Sequence, residues 1–338
     1  MLRIVGDCNF ADGFFDLGLG VGSMIKNGAD PFHFIRENSN GDFWIGNFEC
    51  VCSDYSEKDG IEARQFIISP HVCNHVNHLN FYGIANNHVM QHGVKAYQRM
   101  VRFFDEKGIK YAGSREKPSA VFEHQGKSCA IVVFSLRPEN YSMPPQYWSN
   151  PEYDNVRAEL LKNQECDFRI VCVHWGVEFI SYPYNDQKQF AHFLIDSGAD
   201  LVIGTHPHVM QGMEIYKGKH IFYSLGNCVF NMPWEPSKYS LEVIVDLSSN
   251  AVTYRYLHID KGCFPVYAEV VPECYTMKYL NSLIGISEDN EKYFAKATML
   301  LEQYRKANRR NFIKNVWKMK CSDVTSLAVD YLKRKKIV

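Results

Sequence analysis

Two imidazoles stand two residues apart in G204-T-H-P-H-V-M-Q211, directly after the apolar run Leu201-Val202-Ile203. Pro207 fixes the backbone between His206 and His208, so their directions are largely preset. Two histidines in one tight loop cost solvation if buried without a partner, and a shared cation removes that cost. His174, in V171-C-V-H-W-G176, closes another β-like run, and Asp7 follows a third in V5-G-D-C-N-F10. Three strand ends that each present a metal-type ligand predict a metal centre and hydrolytic chemistry at the rim of an α/β sheet.

Further polar residues follow apolar runs. G41-D-F-W-I-G-N-F-E49 offers Asp42, Asn47 and Glu49, with Asn47 and Glu49 on one side of an extended chain. A85-N-N-H-V-M-Q-H-G93 sets Asn87, a potential oxygen ligand, beside His88, which can bind metal or move protons. H174-W-G-V-E178 adds a glycine that permits close approach. Each motif has a plainer reading when taken alone. Asp7 reads first as a turn residue after Gly6, the Asp42–Glu49 group equally as capping or turn residues, and His174 also as a core histidine.

The elements that must position these residues alternate strand and helix. Strands are expected at Leu2–Val5, Phe43–Ile45, Phe81–Ala85, Cys129–Ser135, Phe168–His174, Leu201–Ile203, Ile215–Tyr216 and His220–Ser224. Helices are expected at Gly93–Lys107, with Val94, Tyr97, Val101 and Phe104 on one face and Gly108 as its stop, and at Gln187–Ser197. A hairpin is expected from Leu241–Leu247 and Ala251–Ile259 around Ser248-Ser249-Asn250. The segment Tyr141–Trp148, with Pro144-Pro145, reads as a loop. Alternation favours a layered α/β domain, and the late hairpin a mixed sheet closer to a sandwich. Composition shifts near residue 272. From Tyr279 the chain reads as helix, with Tyr293, Ala297, Leu300, Leu301 and Tyr304 at helical spacing. Residues 301–338 carry far more Lys and Arg than Asp and Glu, either a solvated face or a contact for an anionic partner or membrane surface.

The bulk properties set limits. The chain has 338 residues, 46% hydrophobic and 22% charged, enough for one large domain and an appendage. A net charge of −1 gives no global field for nucleic acid. Eleven cysteines, with no C-x-x-C pair, fit a reducing compartment rather than a disulfide framework. No signal-peptide h-region and no membrane-length apolar run is seen, so a cytoplasmic protein without an integral membrane segment is expected.

Taken in order, the motifs G6-D7, N47-F-E49, A85-N-N-H88, H174-W-G-V-E178, G204-T-H-P-H-V-M-Q211 and Y223-S-L-G-N227 resemble the bacterial capsule-synthesis CapA family, the poly-γ-glutamate capsule domain. That family is related to calcineurin-like metallophosphoesterases, and the resemblance covers about residues 1–260. It implies a four-layer α/β/β/α sandwich, expected over residues 1–272, followed by a helical C-terminal extension over residues 273–338. It implies a metal set of Asp7, Glu49, Asn87, His174, His206 and His208, with Glu49 in the place of a bridging carboxylate. His88 would take the place of the proton donor. Glu178, Gln211 and Glu214 match family positions, Glu178 as a catalytic group and the other two as substrate contacts, while Asn227 would line the site. There are departures. Asn9 stands where related phosphoesterases carry a ligand His, Gln91 where the family carries Asp, and Cys228 where it carries Phe.

The expected activity is metal-dependent hydrolysis of a phosphoester or related anionic bond, linked to making or remodelling a polyglutamate or polysaccharide capsule. Mixed Asp, Asn and His ligands suit one or two ions of manganese, iron or zinc better than calcium. The substrate would be an anionic small molecule or polymer. The competing expectation is a non-catalytic binding or scaffold protein in envelope-polymer assembly, with Asn9 and Gln91 marking a weakened centre and the basic C-terminal region docking an acidic partner.

Overall fold

Apolar side chains alternate between two cores along three neighbouring strands. Ile131 and Val133, Ile170, and Leu201 and Ile203 face one apolar cluster, while Val132 and Phe134, Val171 and Val173, and Val202 face another. A strand buried on both faces needs something apolar on each side. Here one side meets a second sheet and the other meets helices, which gives the four-layer order of a sandwich. This computed structural model describes residues 1–14, 16–36, 39, 41–74, 79–137, 143–259 and 262–334.

The first sheet holds β1 (Leu2–Cys8), β2 (Phe43–Phe48), β5 (Phe81–Gly83), β6 (Lys110–Ala112), β13 (Asn227–Val229), β14 (Tyr239–Asp246), β15 (Ala251–Ile259) and β16 (Pro265–Tyr267). Its order is β16-β15-β14-β1-β2-β5-β6, with β13 also pairing β1. The second sheet holds β7 (Ser119–His124), β8 (Lys127–Ser135), β9 (Phe168–His174), β10 (Leu201–Thr205), β11 (Met213–Tyr216) and β12 (Lys219–Phe222), in the order β11-β12-β10-β9-β8-β7. A small ribbon pairs β3 (Val51–Cys52) with β4 (Ile67–Ile68). In the first sheet β1, β2, β5 and β6 pair in parallel, while β14, β15 and β16 add antiparallel on the other side of β1. In the second the central strands are parallel and both edges antiparallel, so the sheets are mixed.

The helix Val94–Lys107 covers the first sheet through Tyr97, Met100 and Phe104, with Val94 and Val101 only at the edge of that stripe, and ends at Gly108 with φ +65°. The helices Tyr153–Lys162 and Asn185–Asp196 cover the second sheet. The expected hairpin forms, with Tyr239–Asp246 paired to Ala251–Ile259. The loop segment Tyr141–Trp148 begins outside the described residues, at Tyr141 and Ser142, and its Tyr147 bridges Ser114.

From residue 273 the described chain is helical, at Met277–Leu283, Asn290–Asn315 and Cys321–Arg334, with short 3-10 turns between. These helices bury their apolar stripes against the sandwich. Met277 and Leu280 enter the inter-sheet core, Leu300, Leu301 and Tyr304 meet Phe66, Phe179 and Phe230, and Met319 meets Leu17 and Ile61.

Candidate metal centre

Register brings the ligand-type residues to one end of the sandwich. In the first sheet Asp7 pairs with Asn47 of β2 and with Asn227 of β13, and Asn47 in turn pairs with Gly83. In the second, His174 lies level with Ser135 and Thr205. Both rows sit at the carboxyl ends of parallel strands, where loops diverge and leave a crevice. The strands run further than the sequence pattern suggests, so Asp7 and Asn47 lie within β1 and β2 rather than beyond them. Close approach needs small residues before the ligands. A Cβ on Gly6 would fall 1.9 Å from the Gly226 carbonyl oxygen, and one on Gly204 would fall 2.0 Å from that of Tyr223.

The crossing loop ties the two sheets together. The His206 backbone N–H donates to Asp7 Oδ2 at 3.1 Å, while Asn47 Nδ2 donates to Asp7 Oδ1 at 2.7 Å. His206 and His208 both have positive φ, +97° and +58°. Non-glycine residues held there cost about 1–3 kcal/mol each and persist where surrounding structure over-determines them, often at functional sites. Pro207 lies between them, and its carbonyl accepts from Phe179 N at 2.8 Å.

At the centre is Glu49. Its Oε1 lies 3.7 Å from His208 Nε2, 3.8 Å from His88 Nε2 and 4.0 Å from His174 Nε2. These gaps are too long for hydrogen bonds. Both oxygens of this fully buried carboxylate lack a hydrogen-bond partner, as does His206 Nδ1. Ligand atoms of Glu49, His206 and His208 lie within 4.8 Å of one another, as do those of Asp7, Glu49 and His174. Since oxygen and nitrogen ligands sit roughly 2.0–2.2 Å from a transition-metal ion, two of them flanking one ion lie up to roughly 4 Å apart. The spacing therefore fits a cation held between these groups, with Glu49 common to both triads.

The electrostatics point the same way. Burial pushes the carboxyl groups of Asp7 and Glu49 up, against an opposing pull from His208 at Asp7 and with added repulsion from Asp7 at Glu49. Burial pushes the imidazoles of His174 and His206 down, and neighbouring histidines and Arg137 add to it. A divalent cation favours ionised carboxylates and neutral imidazoles, so it would reverse the first effect and exploit the second.

Supporting contacts fix the ligands. His174 Nε2 lies 2.9 Å from Asn87 Oδ1, and its Nδ1 lies 3.1 Å from Thr205 Oγ1 and 3.3 Å from Asn47 Nδ2. Asn86 Nδ2 donates to Asn47 Oδ1 and to the Phe48 carbonyl, while its oxygen accepts from His88 N. His88 stacks on Phe66 with centroids 4.3 Å apart, and its Nδ1 lies 2.7 Å from Gln91 Oε1. Asn227 Oδ1 meets His208 Nδ1 at 2.9 Å.

Asp7, Glu49, Asn87, His88, His174, His206, His208 and Asn227 thus converge. Glu178 stands at the mouth, 3.5 Å from Arg137, where a cavity of about 340 Å³ is lined by Arg137, Glu178, Phe179, His206, Phe294 and Leu301. Gln211 is held by backbone and a neighbouring amide: its Nε2 donates to the carbonyls of Ile180 and Tyr182, and its Oε1 accepts from Gln187 Nε2. Glu214 accepts from Tyr223 Oη at 2.9 Å and contacts His192 on the outer part of the second sheet. Asn9 turns to its own loop, where its Oδ1 accepts from Ala11 N at 3.0 Å. Thr205, Asn86 and Arg137 had no standing in the sequence motifs as site residues. Thr205 lies inside G-T-H-P-H and Asn86 inside A-N-N-H, but type and spacing alone do not distinguish them from strand and cap residues. A larger cavity, about 550 Å³, opens at the other end of the strands beside Asp42, Phe43 and Trp44, away from both triads.

Comparison with known proteins adds a family. The chain is 29% identical over 232 residues to a capsule biosynthesis protein CapA of Bacillus anthracis, covering 62% of this chain and 56% of that one. It is 30% identical over 178 residues to a PGA biosynthesis protein CapA of Bacillus subtilis, covering 49% and 46%. The chain therefore spans about half the length of the curated relatives it matches. Among solved structures, a phosphatase from Mycoplasma pneumoniae superposes with a TM-score of 0.48 at 14% identity, covering 76% of this chain and 92% of that one. Residues 2–232, which carry every residue of the two triads, match the family described as bacterial capsule synthesis protein PGA_cap, and the chain belongs to that family.

Proposed function

We propose that this protein is a metal-dependent hydrolase of phosphoester-type bonds that serves the making or remodelling of an anionic capsule polymer. The observation that carries the reading is the buried Glu49 carboxylate, without a hydrogen-bond partner and 3.7–4.0 Å from three imidazoles. Asp7, Glu49, Asn87, His174, His206 and His208 would hold one or two divalent ions of manganese, iron or zinc. Such an ion lowers the pKa of water and neutralises charge on an anionic substrate.

The chain's own residues do the rest. Asn47 and the His206 N–H orient Asp7, and Thr205 orients His174. Gln91 Oε1 accepts from His88 Nδ1–H, which leaves Nε2 directed at the centre. Burial pushes His88 down to about 3, so it rests neutral. The negative charge of a bound substrate favours the imidazolium, so Nε2 would take up one proton from solvent as the substrate binds and pass it to the leaving oxygen, which returns His88 to its neutral form. Arg137 and Glu178 meet the substrate at the mouth, and Phe66 and Phe230 wall off water around His88 and His208. Six of the eleven cysteines are buried as small apolar side chains, which fits a reducing, cytoplasmic setting.

The test is direct. Metal content of the purified chain is measured, and turnover of an aryl phosphate ester is followed with and without added manganese. His206→Ala with His208→Ala should strip the metal. His88→Asn should keep it and lower turnover by about 10²–10⁴. An unchanged rate in His88→Asn removes the proton-donor role. A metal-free, inactive chain that binds an anionic polymer in a salt-sensitive way would instead make the protein a scaffold.

A further inference from the structure

The helix Asn290–Asn315 has two unlike faces. Tyr293, Leu300, Leu301, Tyr304 and Asn308 turn toward the sandwich. The outward face of its second half is Arg305, Lys306, Arg309, Arg310, Ile313 and Lys314, continued by Trp317 and Lys318 in the turn Val316–Lys318. Ile313 is 63% and Trp317 76% exposed. Trp317 Nε1 donates to the Lys314 carbonyl at 2.9 Å, which holds the indole at the helix end, and Lys318 lies over the ring. The ion pairs on this helix use Lys292 and Lys296. Among the described residues, none of Arg305, Lys306, Arg309, Arg310 and Lys314 pairs with a carboxylate.

The charge is segregated as well. Residues 301–338 hold eleven of the chain's 37 Lys and Arg but three of its 38 Asp and Glu, so the remainder of a chain of net charge −1 is acidic. An ordinary solvated face interleaves both signs and turns its large apolar residues inward. From Arg305 to Lys318 this face carries no acidic residue, Glu302 lying one turn before it, and it leaves Ile313 and Trp317 exposed.

We infer that this face docks on an anionic membrane surface. Basic side chains gain from anionic headgroups, and Trp317 and Ile313 gain from the acyl boundary beneath them, where tryptophan is enriched. A hydrated polyanion would reward the charges and leave those two side chains in water, which is why the bilayer is favoured over a soluble polymer. No described helix is long and apolar enough to cross a membrane, so the contact is peripheral. The outward face continues toward the amino end of the helix to Thr298 and Phe294, which line the cavity above His206, and docking would therefore set the mouth of the site beside the lipid surface.

The experiment is flotation of the full chain with vesicles of phosphatidylcholine alone and of phosphatidylcholine with phosphatidylglycerol, at low and high salt. Binding is expected only to the anionic vesicles and should weaken with salt. The variant R309A/R310A/K314A should bind about a hundredfold more weakly, at about 1 kcal/mol per basic residue near the surface. These side chains are exposed, so the fold should persist, as checked by circular dichroism. Brominated lipid should quench tryptophan emission in the parent chain and fail to do so in Trp317→Phe. Absence of flotation with anionic vesicles at low salt, or full binding by the triple variant, overturns the proposal. Salt-sensitive binding to soluble polyglutamate without flotation also overturns it and assigns the face to a polymer.

Discussion

Glutamine at position 49 keeps the volume of the side chain and removes its charge. The Glu49 carboxylate is fully buried and neither oxygen accepts a hydrogen bond. A buried polar group left unsatisfied costs about 1–3 kcal/mol, and more when charged. With the metal removed by chelator, Glu49→Gln puts an uncharged amide, able to donate an N–H toward Asp7, in place of a carboxylate that Asp7 repels. It should then be more stable than the parent chain by about 1–3 kcal/mol, or roughly 2–4 °C in Tm per kcal/mol for a large domain. Added cation should reverse the order. A ligand at a hundredfold over its Kd stabilises the parent by about 2.7 kcal/mol. The variant has lost the one carboxylate common to both triads and should gain little. Urea midpoints or calorimetry, run with chelator and with manganese, read both arms. A variant less stable than the parent in chelator, or an equal gain from manganese in both chains, would refute the assigned role of Glu49.

Other consequences follow from the same geometry. His206 has φ +97°, so in chelator His206→Gly should be more stable than His206→Ala by about 1 kcal/mol, read as urea midpoints. Gly204→Ala would place a methyl 2.0 Å from the Tyr223 oxygen and 2.4 Å from Trp175 Nε1, and it should cost about 3 kcal/mol or more, seen as lost soluble yield or a lowered midpoint. Burial and the neighbouring Asp12 raise Asp16 from 3.8 to about 7. The stabilisation that a raised carboxyl pKa gives is complete below the unfolded value and is lost as pH climbs toward the folded one. Between about pH 5 and 7 the parent chain should thus lose about 2 kcal/mol relative to Asp16→Asn, and parallel stability profiles would contradict that.

The central strands were legible because they are buried on both faces and read as continuous apolar runs. Phe168–His174 was found at its true bounds, and Leu201–Ile203 was short by two residues. Strands that end in polar ligands were cut too early, since Asp7 and Asn47 break the apolar pattern while their backbones stay in the sheet. Short edge strands such as Lys110–Ala112 and Pro265–Tyr267 carry too few residues to show a period. At the site, histidines that follow apolar runs signal themselves, because neither packing nor a turn requires them. Asn86 and Thr205 do not, because asparagine at a turn and threonine in a strand are unremarkable, and only register shows what they hold. Gln211 and Glu214 share a short stretch with the paired histidines, yet β11 carries Glu214 to the sheet edge and Gln211 pins a loop through Ile180 and Tyr182.

The division between matched and unmatched sequence has a physical counterpart. Every group of the two triads lies before residue 232, where the family match ends. The cavity outside them is closed on one side by Phe294, Ala297, Thr298 and Leu301, from the helix Asn290–Asn315 beyond that match. A cation would meet the matched segment alone, whereas a substrate long enough to fill the cavity would touch both. Changes on the helix face at Phe294 or Leu301 should then alter KM and leave metal content untouched, while changes at His206 or Glu49 should alter both. An equal loss of metal from Phe294→Ala would show that the helix closes the centre itself rather than its approach.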